Sequence, residues 1–151
     1  PVTGDGVVEN VRGLDVICGW NADDASAFVG PGPDVVAATR EMVARPIVEL
    51  ISQLTAAGAR AHSYRLDWRP AGSSFGATHC LELPLLLGTQ RAWELCPMLG
   101  DTPWRQVEAL GRKLRQTWGY FARTGVIHSE RLELAPAELP LVWNPDLGMR
   151  P

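Results

Sequence analysis

Leu14-Asp15-Val16-Ile17-Cys18-Gly19-Trp20 is a short, mostly apolar run with β-branched members, and it ends at the polar cluster Asn21-Ala22-Asp23-Asp24. A strand of a parallel sheet that is covered on both faces reads this way, because no solvent side demands alternation. Downstream, Gly30-Pro31-Gly32-Pro33 breaks the chain. The spacing then predicts a helix from a cap at Asp34 to Ala44, with Pro46 in the first turn of a second helix. In that second helix Ile47, Leu50, Ile51 and Leu54 stand at i, i+3, i+4 and i+7, one apolar stripe, and Gly58 stands where a helix should stop. From Arg60 to Trp68 the chain alternates, Ala61, Ser63, Arg65 and Asp67 against His62, Tyr64, Leu66 and Trp68, as expected of a strand near a sheet edge. Strand, helical crossover and strand make a right-handed βαβ unit. The fold class is therefore α/β, with parallel strands whose C-terminal ends lie on one side.

That geometry brings two loops to one rim. Asp23 and Asp24 follow the first strand, and the loop after the second carries His79 within Phe75-Gly76-Ala77-Thr78-His79-Cys80-Leu81-Glu82-Leu83-Pro84. Open α/β sheets bind ligands outside the carboxyl ends of their strands, so an acid and a base are expected to converge there. A later amphipathic helix is predicted from Pro103, capped by Thr102, to Arg123, with Gly125 closing it. Its stripe is Trp104, Val107, Leu110, Leu114, Trp118 and Phe121, and the tryptophans read as core. Beyond it Pro136, Pro140, Pro145 and Pro151 mark 126–151 as an extended surface tail.

Composition narrows the function classes. With 46% hydrophobic and 21% charged residues and a net charge of -3, the chain reads as globular, without the basic excess of a nucleic-acid partner. Arg105, Arg112, Lys113, Arg115 and Arg123 cluster, but at the spacing of one solvated helix face. The longest apolar run, Leu83 to Leu87, contains Pro84 and falls far short of the roughly 20 residues a membrane span needs, so no membrane insertion is expected. Cys18, Cys80 and Cys96 are too few and too irregular for a disulfide framework or a zinc site, leaving a Cys80 to Cys96 bridge as an option. Pro1 to Gly6 has no initiator methionine and no targeting pattern, which reads as the start of a fragment and leaves localisation open.

Four pieces in order carry a family likeness. Gly19-Trp20-Asn21-Ala22-Asp23-Asp24-Ala25-Ser26-Ala27-Phe28, Tyr64-Arg65-Leu66-Asp67-Trp68, Gly76-Ala77-Thr78-His79-Cys80-Leu81-Glu82-Leu83-Pro84 and Trp118-Gly119-Tyr120-Phe121-Ala122-Arg123-Thr124-Gly125 together resemble the C-terminal third of type-B carboxylesterases. That group contains para-nitrobenzyl esterases and cholinesterases, and the likeness covers roughly Asp15 to Gly125. It implies that residues 1–151 are the C-terminal portion of one α/β-hydrolase domain. It also implies that Asp24 is the acid and His79 the base of a Ser-His-Asp/Glu triad acting on small carboxylic esters without a cofactor or metal. The serine and oxyanion hole would come from a missing N-terminal part of the same enzyme, and the isolated chain would be inactive. The rival reading is a catalytically dead cholinesterase-like interaction module, since that family includes adhesion proteins. Two departures stand out: Asp24 and Ala25 replace the family's more usual glutamate and glycine, so the shorter acid requires its loop to sit closer to the imidazole, and Leu139-Pro140-Leu141-Val142-Trp143 stands near the place of the family's usual Trp-Pro-x-Tyr ending.

Other residues compete for roles. Asp23 rivals Asp24 as the acid, and Ser26 is a candidate to hydrogen-bond the acid or its neighbours. Gly72-Ser73-Ser74-Phe75-Gly76 satisfies Gly-x-Ser-x-Gly, but it lacks the strand-turn-helix setting of a nucleophile elbow and follows the acid, so Ser74 reads as loop. Cys80 reads as a small buried thiol, Glu82 as a local hydrogen-bonding group rather than a metal ligand, His62 as structural and His128 as solvent-facing.

Overall fold

The structure, a computed structural model, describes residues 10–127 and 141–143. β1 (Asp15–Asn21) and β2 (Arg60–Leu66) pair in parallel, Asp15 opposite Arg60 through to Asn21 opposite Leu66. β3 (Leu141–Trp143) joins β2 on its other side, also in parallel, giving the order β1-β2-β3. The expectation for β2 is thus corrected: it is the central strand, not an edge. Its charged positions are satisfied laterally instead, with Arg60 forked onto Asp15 at 2.6 and 2.7 Å and Arg65 onto Asp67 at the same two distances. β1 departs from its expectation in the other direction, since Val16, Ile17 and Cys18 are only half-buried and no described strand pairs with its outer edge.

The crossover from β1 to β2 contains α1 (Ser26–Val29), α2 (Val35–Thr39) and α3 (Arg45–Ala56). Asp34 makes no side-chain cap bond to α2. Between α2 and α3 the helix widens over Arg40–Ala44, where the Arg45 N–H reaches the Arg40 carbonyl. The cause is Pro46, which lacks an N–H and whose ring would strike the carbonyl four residues back; a wide turn removes that collision. α3 packs across both strands, burying Ile51 and Leu54 while Ile47 and Leu50 are half-buried.

After the histidine loop come α4 (Glu82–Leu86), α5 (Gln90–Trp93), a tight turn at Pro97–Leu99 and the long α6 (Trp104–Thr124). Leu66 and Trp68, Leu81 and Leu85, and Val107, Leu110 and Leu114 form one core, with Trp104 and Trp118 against it. Each large side chain removed from water there contributes about 1.5–3 kcal/mol. α6 crosses α4 at Gly111, where a methyl group would collide with the Leu85 carbonyl, and Arg115 donates to that same carbonyl at 2.7 Å. Gly125 ends α6 in the left-handed region at φ 67°, its N–H reaching Phe121 at 2.7 Å. The Thr102 cap does not form: its hydroxyl is buried without a partner among the described residues, and α6 begins after Pro103. His62 is half-buried edge-on to Phe121, as a structural histidine would be. All three cysteines are free, so the Cys80 to Cys96 bridge is not made. Arg105, Arg112, Lys113 and Arg123 are exposed on α6, whereas Arg115 is half-buried. No described helix is long and apolar enough to cross a membrane. His128 and the prolines beyond it lie outside the described residues.

Candidate active site

The acid loop grows directly out of β1. Ala22 extends the ladder by donating to the Leu66 carbonyl at 2.9 Å, and the chain then turns tightly, Asp24 N–H to Asn21 carbonyl at 3.1 Å and Ser26 N–H to Asp23 carbonyl at 2.9 Å. Asp24 is 3% exposed. A carboxylate so far from water must be paired, and both of its oxygens are: Oδ2 accepts from the Asn21 N–H at 2.8 Å and Oδ1 lies 2.6 Å from Nδ1 of His79.

The histidine loop is fastened to the acid loop at several points. Asp23 and Ala77 exchange bonds, N–H to carbonyl at 2.9 Å and N–H to Oδ2 at 2.8 Å, while Arg69 clasps the same carboxylate at 2.7 and 3.1 Å. Gly76 makes that approach possible, for it sits at φ 66° and a Cβ there would meet the Asp23 carboxylate. Ser26 donates to the Phe75 carbonyl at 2.8 Å, and its oxygen lies 2.8 Å from the Thr78 hydroxyl. Asn21 Nδ2 donates to the Thr78 carbonyl at 2.7 Å and to Glu82 at 2.8 Å. Cys80 follows His79 at φ 64°, a strained position for a residue with a Cβ.

The two aspartates and their neighbours have different partners. Asp24, not Asp23, holds the imidazole; Asp23 is taken up by Arg69 and Ala77. Ser26 bonds the histidine loop and not the acid. Glu82 accepts from Asn21. Ser74 is exposed in a turn-rich loop, with no hydrogen bond to His79. Burial, then the charges of Glu82 and Asp24, push the Cys80 thiol up, which holds it protonated and unsuited to attack. The same two carboxylates, after burial, push the Tyr64 phenol up. With Asp24 ionised and the imidazole neutral, the short contact takes the proton on Nδ1 and Nε2 presents its lone pair; no described residue hydrogen-bonds it. The His79 side chain is 50% exposed, and the Phe28 ring packs on it at 5.2 Å between centroids. An oriented, open imidazole on a buried carboxylate can take a proton from an incoming hydroxyl and return it. Asn21, Thr78 and Phe28 escaped the reading of candidate residues; only their places in the motifs marked them.

No protein-family model matches the chain. It is similar to the probable N-octanoylanthranilate hydrolase AqdA2 of Rhodococcus erythropolis, 28% identical over 139 residues, covering 80% of this chain and 31% of that protein. The chain thus spans about a third of the length of that curated relative. The likeness supports a hydrolase.

Proposed function

We propose that this chain supplies the acid, Asp24, and the base, His79, of a Ser-His-Asp triad in a hydrolase of the type-B carboxylesterase kind. In this reading it forms the C-terminal part of a longer α/β-hydrolase domain, whose remainder carries the serine and the oxyanion hole. One observation carries the reading: the 2.6 Å contact between Nδ1 of His79 and the buried Asp24 carboxylate, made by two loops that leave the C-terminal ends of neighbouring parallel strands. The four ordered motifs and a hydrolase relative, of which the chain spans 31%, support it.

The chemistry is acyl transfer without a cofactor. As the serine oxygen bonds to the carbonyl carbon, Nε2 of His79 takes the hydroxyl proton, and it gives that proton to the departing alcohol when the C–O bond breaks. Water repeats the sequence on the acyl-enzyme and releases the acid. Asp24 keeps the proton on Nδ1 in the resting state and stabilises the imidazolium that forms. Small carboxylic esters are the substrate class. The name of the relative adds an N-acyl amide with an octanoyl chain to the compounds to try.

The test uses the full-length protein, with para-nitrophenyl octanoate and N-octanoylanthranilate as substrates and a fluorophosphonate probe for the serine. Turnover is expected, labelling is expected on a serine outside these residues, and His79→Ala should lower the rate by roughly 10⁶-fold. Ser74→Ala should leave it unchanged. A folded protein that neither turns over ester nor takes the probe would instead be the interaction module. The isolated chain is expected to be inactive and, with the outer edge of β1 unpaired by any described strand, to self-associate; a sharp monomeric unfolding transition would contradict the fragment reading.

A further inference from the structure

We infer that Asn21 is a positioning residue, whose side-chain amide fixes the register between the acid loop and the histidine loop and so holds the imidazole on Asp24. The inference rests on the triad reading above. Asn21 is 2% exposed and touches all the parts at once. Its backbone N–H donates to Asp24 Oδ2 at 2.8 Å, and its Nδ2 donates to the Thr78 carbonyl at 2.7 Å and to Glu82 Oε2 at 2.8 Å. Thr78 immediately precedes His79, and Glu82 opens α4 three residues after it. The amide therefore grips the backbone before His79 and the side chain after it, while the same residue's main chain grips the acid.

The orientation of that amide is not free. Both groups facing Nδ2 are acceptors, so the nitrogen must point at them, and Oδ1 is left buried without a partner among the described residues. An unpaired buried acceptor is unfavourable. Both donors are committed to the histidine loop at that cost, which is what a positioning role requires. Proton transfer depends on sub-ångström placement of the base, and a single hydrogen bond to Asp24 does not set where the His79 backbone lies.

Donor and acceptor can be exchanged to test this. In the full-length protein, kcat and KM for a para-nitrophenyl ester are measured for wild type, His79→Ala, Asn21→Asp and the double variant Asn21→Asp with Glu82→Gln, with thermal unfolding on each. Asn21→Asp sets a carboxylate against a carbonyl and a second carboxylate, and kcat is expected to fall roughly 10- to 100-fold with KM little changed. In the double variant only the Glu82 half is restored, with its roles reversed, the amide introduced by Glu82→Gln donating to the carboxylate introduced by Asn21→Asp; the Thr78 carbonyl still faces that carboxylate, so no more than part of the lost kcat is expected to return. Should Asn21→Asp fail to fold, Asn21→Ser, uncharged and too short to reach both acceptors, is read by the same split. A folded Asn21 variant with wild-type kcat, a loss expressed in KM alone, or a double variant that recovers full wild-type kcat although its Thr78 contact stays broken overturns the inference while leaving the triad standing. If instead His79→Ala retains wild-type turnover, the triad reading fails and the inference falls with it.

Discussion

Between Asn21 and Ser26 the chain closes hydrogen bonds within itself, Asn21 N–H to Asp24 Oδ2, Asp24 N–H to Asn21 and Ser26 N–H to Asp23. Between Phe75 and Thr78 the groups that matter turn outward to that first loop: the Phe75 carbonyl to Ser26, Ala77 to Asp23 through both of its backbone groups, the Thr78 carbonyl to Asn21. The acid loop is a template and the histidine loop is laid on it. A loop that closes turns of its own can keep part of its shape before its partner arrives, even though the Asp23 N–H waits for Ala77 and the Ala25 N–H bonds Thr39; one that relies more on another loop is rigid mainly in its company.

Asp23→Ala should have the largest effect on that relation. It removes an acceptor from the Ala77 N–H and leaves Arg69 unpaired, which should cost about 1.5–3 kcal/mol in a urea titration. Amide exchange should quicken across Phe75 to Thr78 and stay slow across Asn21 to Ser26; equal loosening of both loops would break the comparison. Asp23→Asn keeps an acceptor for Ala77 and should cost only about 0.5–1 kcal/mol, because the Arg69 side chain is 56% exposed and such pairs are worth little. Ser26→Ala, losing one bond to Phe75, should cost about 1 kcal/mol.

A pH titration reads both loops together. Tyr64 is raised by burial and then by Glu82 and Asp24, so the folded state holds its proton above the unfolded value of about 10. Its contribution to stability is then complete below about pH 10 and declines as pH rises further, since the unfolded phenol ionises first. Tyr64→Phe should flatten that alkaline decline. The smallest effect is expected for Cys80→Gly, which relieves the left-handed backbone at φ 64° and should change stability by no more than about 1 kcal/mol in the favourable direction. A marked loss there would mean that the thiol packs better than its half-exposed position implies.

What the sequence disclosed follows the range of the forces involved. Leu14 to Trp20, the stripe on α3 and the stripe on α6 are local periodicities, and each element formed within a residue or two of its reading. β3 was not legible, because Leu141–Trp143 is too short to show a period and sits among prolines that read as tail. Central placement of β2 depended on it. α4 was hidden in the run from Leu83 to Leu87, which is weighed above only as a membrane span; Pro84 falls in its first turn, where no N–H is needed. At the site, Asp24 and His79 were marked by motif, but two adjacent aspartates cannot be ranked by spacing. Their separation came from Arg69 and Ala77, far away in the chain, which give Asp23 a different task. Asn21 was equally silent, since its partners Thr78 and Glu82 are brought to it only when the loops dock.

Those neighbouring aspartates allow the most direct test of the triad. In the full-length protein, ester hydrolysis by Asp24→Asn and by Asp23→Asn should be compared at equal folded concentration. Asp24→Asn is expected to fall by roughly 10³- to 10⁴-fold, because the amide cannot hold the imidazole in the working tautomer, while Asp23→Asn stays within about 10-fold of wild type. Equal losses, or a greater loss at Asp23, would contradict the assignment of Asp24 and His79 as the acid and base of the site.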